Sequence, residues 1–145
     1  MTITYNASCV CGSLGYRFTT NVRPQQWRMR KCTCSFCSKQ KNHIHVSDPL
    51  GQISYEISRP QHLNRYRFGT KTADFVTCSN CGSYLGAAMR TDDGAFAVLN
   101  AELISTQLDL PEPPSVSFDG EDLDERLARR HAGWTPVVGD ELSLE

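Results

Sequence analysis

Apolar and polar positions alternate with a period of two along most of this chain, the pattern of half-buried strands. Leu14, Tyr16 and Phe18 alternate with Gly15, Arg17 and Thr19. Ile53, Tyr55 and Ile57 repeat the pattern. In residues 63–68, Tyr66 and Phe68 mark an expected apolar face opposite Leu63, Arg65 and Arg67. Shorter strands are predicted at residues 27–31, 43–46, 75–78, 84–89 and 96–99. Asp48-Pro49-Leu50-Gly51 reads as a turn by its residue types, and Thr91-Asp92-Asp93-Gly94 as a hairpin connection.

After Leu110 the pattern changes. Pro111, Pro113 and Pro114 exclude helix interior there. Residues 122–130 are the best helix candidate, with Leu123 and Leu127 spaced i, i+4. Asp122 with Arg126, and Glu125 with Arg129, give acid-before-base pairs at the same spacing. Gly133 is the expected stop. So short a helix needs tertiary packing to persist. The fold class expected is mainly β with a short C-terminal helix. We expect one domain over 1–145, with a core of about 3–104 and an acidic appendage over 105–145.

The 145-residue length suits one domain with a sizeable core. No apolar run approaches the roughly 18 residues of a membrane-spanning helix. Residues 1–5 have neither a basic nor an apolar leader region, so the expected compartment is the cytoplasm. The net charge of −1 conceals an asymmetry. Residues 1–101 carry twelve Lys/Arg against five Asp/Glu, a balance of +7; residues 102–145 carry three against eleven, a balance of −8. A basic body that attracts anions and an acidic tail that folds back on it are compatible readings.

The seven cysteines fall into tight groups: Cys9-Val-Cys11, Cys32-Thr-Cys34-Ser-Phe-Cys37 and Cys78-Ser-Asn-Cys81. A reducing compartment disfavours disulfides, and an odd count leaves one thiol over. Clustered thiols suit a cation; free thiols with packing or redox roles are the plainer reading. Seven divide as four plus three, a closed tetrahedral zinc site on Cys9, Cys11, Cys78 and Cys81 beside a three-thiolate site on Cys32, Cys34 and Cys37. Spacing favours this division only modestly. Cys34 and Cys37 with Cys78 and Cys81 also make a ribbon-like pair of knuckles, leaving Cys9, Cys11 and Cys32.

Three motifs in order, Cys9-Val-Cys11-Gly12-Ser13-Leu14-x-Tyr16, Cys32-Thr-Cys34-Ser35-Phe36-Cys37-Ser38-Lys39 and Phe68-Gly69 followed by Cys78-Ser79-Asn80-Cys81-Gly82, resemble the glutathione-dependent formaldehyde-activating enzyme (GFA, or centromere protein V domain) family. The resemblance covers about residues 3–104. It implies an Mss4-like zinc-bound β fold, a structural zinc on Cys9, Cys11, Cys78 and Cys81, and a catalytic zinc on Cys32, Cys34 and Cys37. It further implies carbon–sulfur lyase chemistry that joins glutathione to formaldehyde. After Lys39, Gln40-Lys41-Asn42 lacks the glycine of the family's loop, and the tail after Ile104 departs from the full-length enzymes.

Zinc with three thiolates has a local charge of −1 and suits a fourth soft ligand, such as an incoming thiol bound as thiolate. That thiolate would attack an electrophilic carbon. Arg28, Arg30, Lys31, Lys39 and Lys41, with no acid among residues 28–41, would offset the charge and favour an anionic thiol such as glutathione. A solvated basic surface is the plainer reading. Nucleic acid is disfavoured, since no aromatic array or helix-turn-helix accompanies the cations. No membrane partner is expected, and a homo-oligomer is compatible with the sequence. His43 and His45 are candidates for a fourth ligand or a proton donor, Asn100 for substrate orientation and Ser35 for a hydrogen bond to a ligand sulfur. His62 and His131 are expected at the surface, Trp27 and Trp134 in the core. The expected cofactor is two zinc ions per chain, the second readily lost. A non-catalytic zinc module that binds a macromolecule is the alternative function, and a redox sensor on the three-cysteine group a third.

Overall fold

The computed structural model describes residues 2–32, 43–67, 72–105, 108, 110, 112–116, 120–139 and 141–142, with Cys32 described by its backbone alone. Two sheets face one another. The smaller has three antiparallel strands in the order β1 (Ile3–Ser8), β2 (Leu14–Thr20), β5 (Gln52–Ile57). The larger runs β10 (Ser115–Val116), β3 (Arg28–Cys32), β4 (Ile44–Ser47), β9 (Gly94–Asn100), β8 (Tyr84–Thr91), β7 (Asp74–Cys78), β6 (Leu63–Tyr66). A short β11 (Thr135–Pro136) also pairs with β9.

The main core lies between the sheets. Tyr16, Phe18 and Ile53 from the smaller sheet meet Val46, Val76, Leu85 and Leu99 from the larger, all buried. Each such side chain contributes about 1.5–3 kcal/mol when fully buried. The alternation read in the sequence places them: on β2, Leu14, Tyr16 and Phe18 turn inward and Arg17 outward. A second apolar cluster of Ala73, Ala87, Met89, Val98 and Trp134 lies on the opposite face of the larger sheet. The only α-helix among the described residues, α1 (Leu123–Gly133), lies there and contributes Leu127. The fold is therefore mainly β with a helix near the C-terminus.

Three local features are not read from the sequence. Alternation does not mark β1, because its inward residues are only Tyr5 and Ala7 while Ile3 is 45% exposed. Tyr66, expected on a buried face, is 48% exposed; Phe68 lies outside the described residues. The cause is position, since β6 ends the larger sheet and pairs with β7 alone. On α1, the acids of the expected pairs Asp122–Arg126 and Glu125–Arg129 have a use that their spacing does not suggest. Asp122 caps the helix by accepting from the Glu125 amide (2.8 Å), and Glu125 accepts in turn from the Asp122 amide (3.4 Å). Orphan amides at a helix start are better satisfied by such a capping box than left to water. Glu121 pairs with Arg126 (3.1 Å) and Arg129 (2.9 Å). Gly133 is the last helical residue.

Candidate metal centre

The turn between β1 and β2 carries Cys9 and Cys11; the end of β7 and the turn to β8 carry Cys78 and Cys81. Each turn is closed by a glycine amide, over three residues in the first and four in the second. The Gly12 amide donates to the Cys9 carbonyl (3.0 Å), and the Gly82 amide to the Cys78 carbonyl (2.8 Å). Both glycines have φ of 80°, a left-handed value that closes the turn at no steric cost. One turn belongs to the smaller sheet and the other to the larger.

The four Sγ atoms lie within 4.8 Å of one another. Cys9 and Cys11 sulfurs are 3.7 Å apart, and Cys11 and Cys78 sulfurs 3.6 Å. A disulfide would need about 2.05 Å, and these thiols are free. Four sulfurs held tetrahedrally at the zinc–sulfur distance of about 2.3 Å would be about 3.8 Å apart. The donor set and its spacing thus fit a zinc ion.

The surroundings also suit thiolates. Ser13 Oγ lies 3.1 Å from Cys11 Sγ, and Ser83 Oγ 3.3 Å from Cys81 Sγ. The Leu14 amide donates to Cys9 Sγ (3.4 Å). Hydrogen bonds from the Asn80 side chain and from Ser13 pull the Cys11 thiol down to about 5. Against desolvation, which raises it, hydrogen bonds from Ser83 bring Cys81 to about 7. Burial pushes Cys78 up to about 11. A cation here would displace the Cys78 proton. His62, expected at the surface, closes this shell: its Nδ1 is 2.7 Å from Ser13 Oγ. Sequence reasoning misses Ser13, Ser83 and Asn80 as neighbours of the sulfurs, and His62 as the partner of Ser13. The signal for the serines is the repeated Cys-Gly-Ser, at 11–13 and 81–83.

Of the three-cysteine group, Cys34 and Cys37 lie outside the described residues, as does Ser35. Cys32 ends β3, and β3 pairs with β4 up to Lys31 opposite Ile44. His43 directly precedes that pair on the neighbouring strand. Its ring lies on Tyr84 at 4.2 Å, and buried His45 places Nε2 2.9 Å from the Tyr84 hydroxyl. Asn100 is occupied by its own backbone surroundings: Nδ2 donates to the Tyr84 carbonyl (2.8 Å) and Oδ1 accepts from the Glu102 amide (3.1 Å). Trp27 and Trp134 are buried. His131 is exposed, 3.3 Å from Asp93.

A β-bulge delivers Tyr84 to this position. Val76 pairs with Gly86 but Thr77 with Tyr84, so β8 holds one extra residue. Ala88 faces the main core, and regular alternation would send Tyr84 there too. The extra residue turns Leu85 into the core and Tyr84 to the other face, where it meets Phe75 at 6.1 Å.

Compared with known families, residues 4–115 match the model described as glutathione-dependent formaldehyde-activating enzyme. The chain belongs to the GFA family. The matched span includes all seven cysteines and stops short of α1. No match was found among curated proteins. Among solved structures, the GFA chain is similar to a crystal structure of a Rhodobacter sphaeroides protein, a structural-genomics target, at 23% identity with a TM-score of 0.59. The similarity covers 77% of this chain and 99% of that one, and it shows a shared fold. No helix among the described residues is long and apolar enough to cross a membrane.

Proposed function

We propose that this GFA-family chain is a zinc-dependent enzyme of the carbon–sulfur lyase type, joining a glutathione-like thiol to formaldehyde. The observation that carries the reading is the family match over a span that holds both cysteine groups. Residues 1–145 are taken as one domain with two metal sites. Cys9, Cys11, Cys78 and Cys81 would hold a structural zinc, and Cys32, Cys34 and Cys37 a second. At the second site, bound zinc would supply a position for the thiol as thiolate.

In the overall change the thiol adds across the carbonyl of formaldehyde to give a hydroxymethyl thioether. A carbon–sulfur bond forms, the carbonyl π bond breaks, and the thiol proton ends on the former carbonyl oxygen. The chain's own part is to move that proton. The hydrogen-bonded pair of His45 and Tyr84 is the proposed route; His45 stands opposite Arg30, two residues before Cys32 on β3. His45 takes the proton from the thiol, Tyr84 gives its own to the developing alkoxide, and His45 restores it. Tyr84→Phe is expected to slow catalysed adduct formation by about 100-fold or more, with zinc content and melting temperature close to the parent. A rate unchanged in that variant would remove Tyr84 from the route.

The function is tested by mixing formaldehyde and glutathione with zinc-loaded protein and following the hydroxymethyl adduct by NMR. Formation faster than the uncatalysed reaction is expected, with the acceleration lost in Cys34→Ala. Elemental analysis of freshly prepared protein should give two zincs per chain. An uncatalysed rate with both metals present would instead favour the non-catalytic zinc module.

A further inference from the structure

The three arginines of α1 are used differently. Arg126 and Arg129 share the Glu121 carboxylate. Arg130 is buried, with 8% of its surface still meeting solvent, and has no carboxylate partner among the described residues. Its Nη1 donates to Thr72 Oγ1 (2.8 Å) and approaches Met89 Sδ (3.9 Å). Its guanidinium lies over the Trp134 ring, 4.8 Å from the centroid. Its Nε is buried with no acceptor, and so is Trp134 Nε1, one helical turn further on.

A guanidinium away from water without a counter-charge is costly, and so is each buried N–H without an acceptor. Burial pulls Arg130 down to about 10, which leaves it charged at neutral pH. Two orphaned donors, one of them cationic, therefore sit against one another in an otherwise apolar cluster of Ala73, Ala87, Met89 and Val98. One anion with two acceptor oxygens would satisfy both. A carboxylate fits this better than a phosphate, since it carries one charge and its planar pair of oxygens matches the paired N–H groups of a guanidinium edge.

We propose that Arg130 and Trp134 form a carboxylate-binding site on the helix-covered face of the larger sheet. That face continues through Phe75, which packs on the same cluster and touches Tyr84. Resting on the function proposed above, the carboxylate is one carried by the thiol substrate. Arg130 then selects acidic thiols, from a helix that lies beyond the span shared with the family.

The test uses the zinc-loaded full chain and S-methylglutathione, which keeps both carboxylates but has no thiol proton to lose. The chain has two tryptophans, so the indole N–H region of a proton–nitrogen NMR spectrum holds two signals. Trp27 Nε1 already donates to the Val22 carbonyl (3.0 Å) and serves as the internal control. The expected result is a saturable shift of the Trp134 signal with Trp27 unmoved, no shift with the diethyl ester, and binding weakened about tenfold or more in Arg130→Gln. An ester that titrates like the acid, an Arg130→Gln chain that titrates like the parent, or no saturable shift in the parent would overturn the assignment. The parent's ester comparison needs no variant to fold. If the enzymatic reading fails, no adduct acceleration is seen with glutathione while the Trp134 titration persists.

Discussion

A Cys78→Ser chain is expected to lose the metal of the four-sulfur centre and to melt more than about 15 °C below the parent, or without a cooperative transition. Cys78 is 1% exposed and its sulfur stands 3.6 Å from that of Cys11. The centre joins a turn of the smaller sheet to a turn of the larger, so its loss removes one of the links between the sheets. Structural zinc contributes on the order of 10 kcal/mol in small zinc domains, comparable with the whole margin of about 5–15 kcal/mol for a folded domain. A strong chelator should act on the parent in the same direction. Calorimetry with and without chelator checks both, and Val10→Ser, at an 86% exposed position in the same turn, is the control that should melt like the parent. An unchanged melting temperature after verified metal removal would rule out the stapling role.

The second large effect concerns Gly86. Its φ is 144°, and a Cβ added there would collide with the Val98 carbonyl oxygen and meet the Leu99 Cα at 3.0 Å. Both neighbours are backbone of the paired strand β9, so no side chain can move to make room. Gly86→Ala must push β8 and β9 apart or undo the bulge. We expect a loss of about 4 kcal/mol or more, the range reached when strain and overpacking combine. Chemical denaturation should show it. The same variant should also misplace Tyr84, because the bulge sets which face that residue takes. A denaturation midpoint within error of the parent would contradict the close approach.

The strands around the main core are legible in the sequence because their inward residues are large and apolar: Leu14, Tyr16 and Phe18, then Ile53 and Tyr55. β1 is not, since Tyr5 and Ala7 make too faint a period. The hairpin at Thr91 to Gly94 is legible from residue types and forms with those two residues paired. The bulge at Gly86 is not, because a change of face depends on the partner strand and leaves no local pattern. Of the candidate centre, the four cysteines that come together are those favoured by spacing and implied by resemblance. Their neighbours are hidden for different reasons. Ser13 and Ser83 stand in plain view as a repeated tripeptide. His62 reaches Ser13 from a separate turn following Pro60, which spacing along the chain cannot reveal. Arg130 reads only as one more charge on a helix face, and its burial follows from where the helix lands.

Described residues after position 114 enter both sheets. β10 lies parallel to β3, the Val137 amide bonds the Ala95 carbonyl, the Val138 amide bonds the Ile53 carbonyl, and Leu142 is buried in the main core. During synthesis these residues are made after every other strand they join. While they are still within the ribosome, β3 lacks its outer partner and the core lacks Leu142. The two sheets therefore complete their packing only once this segment has emerged, and a chain stalled before it exposes an open strand edge that invites aggregation.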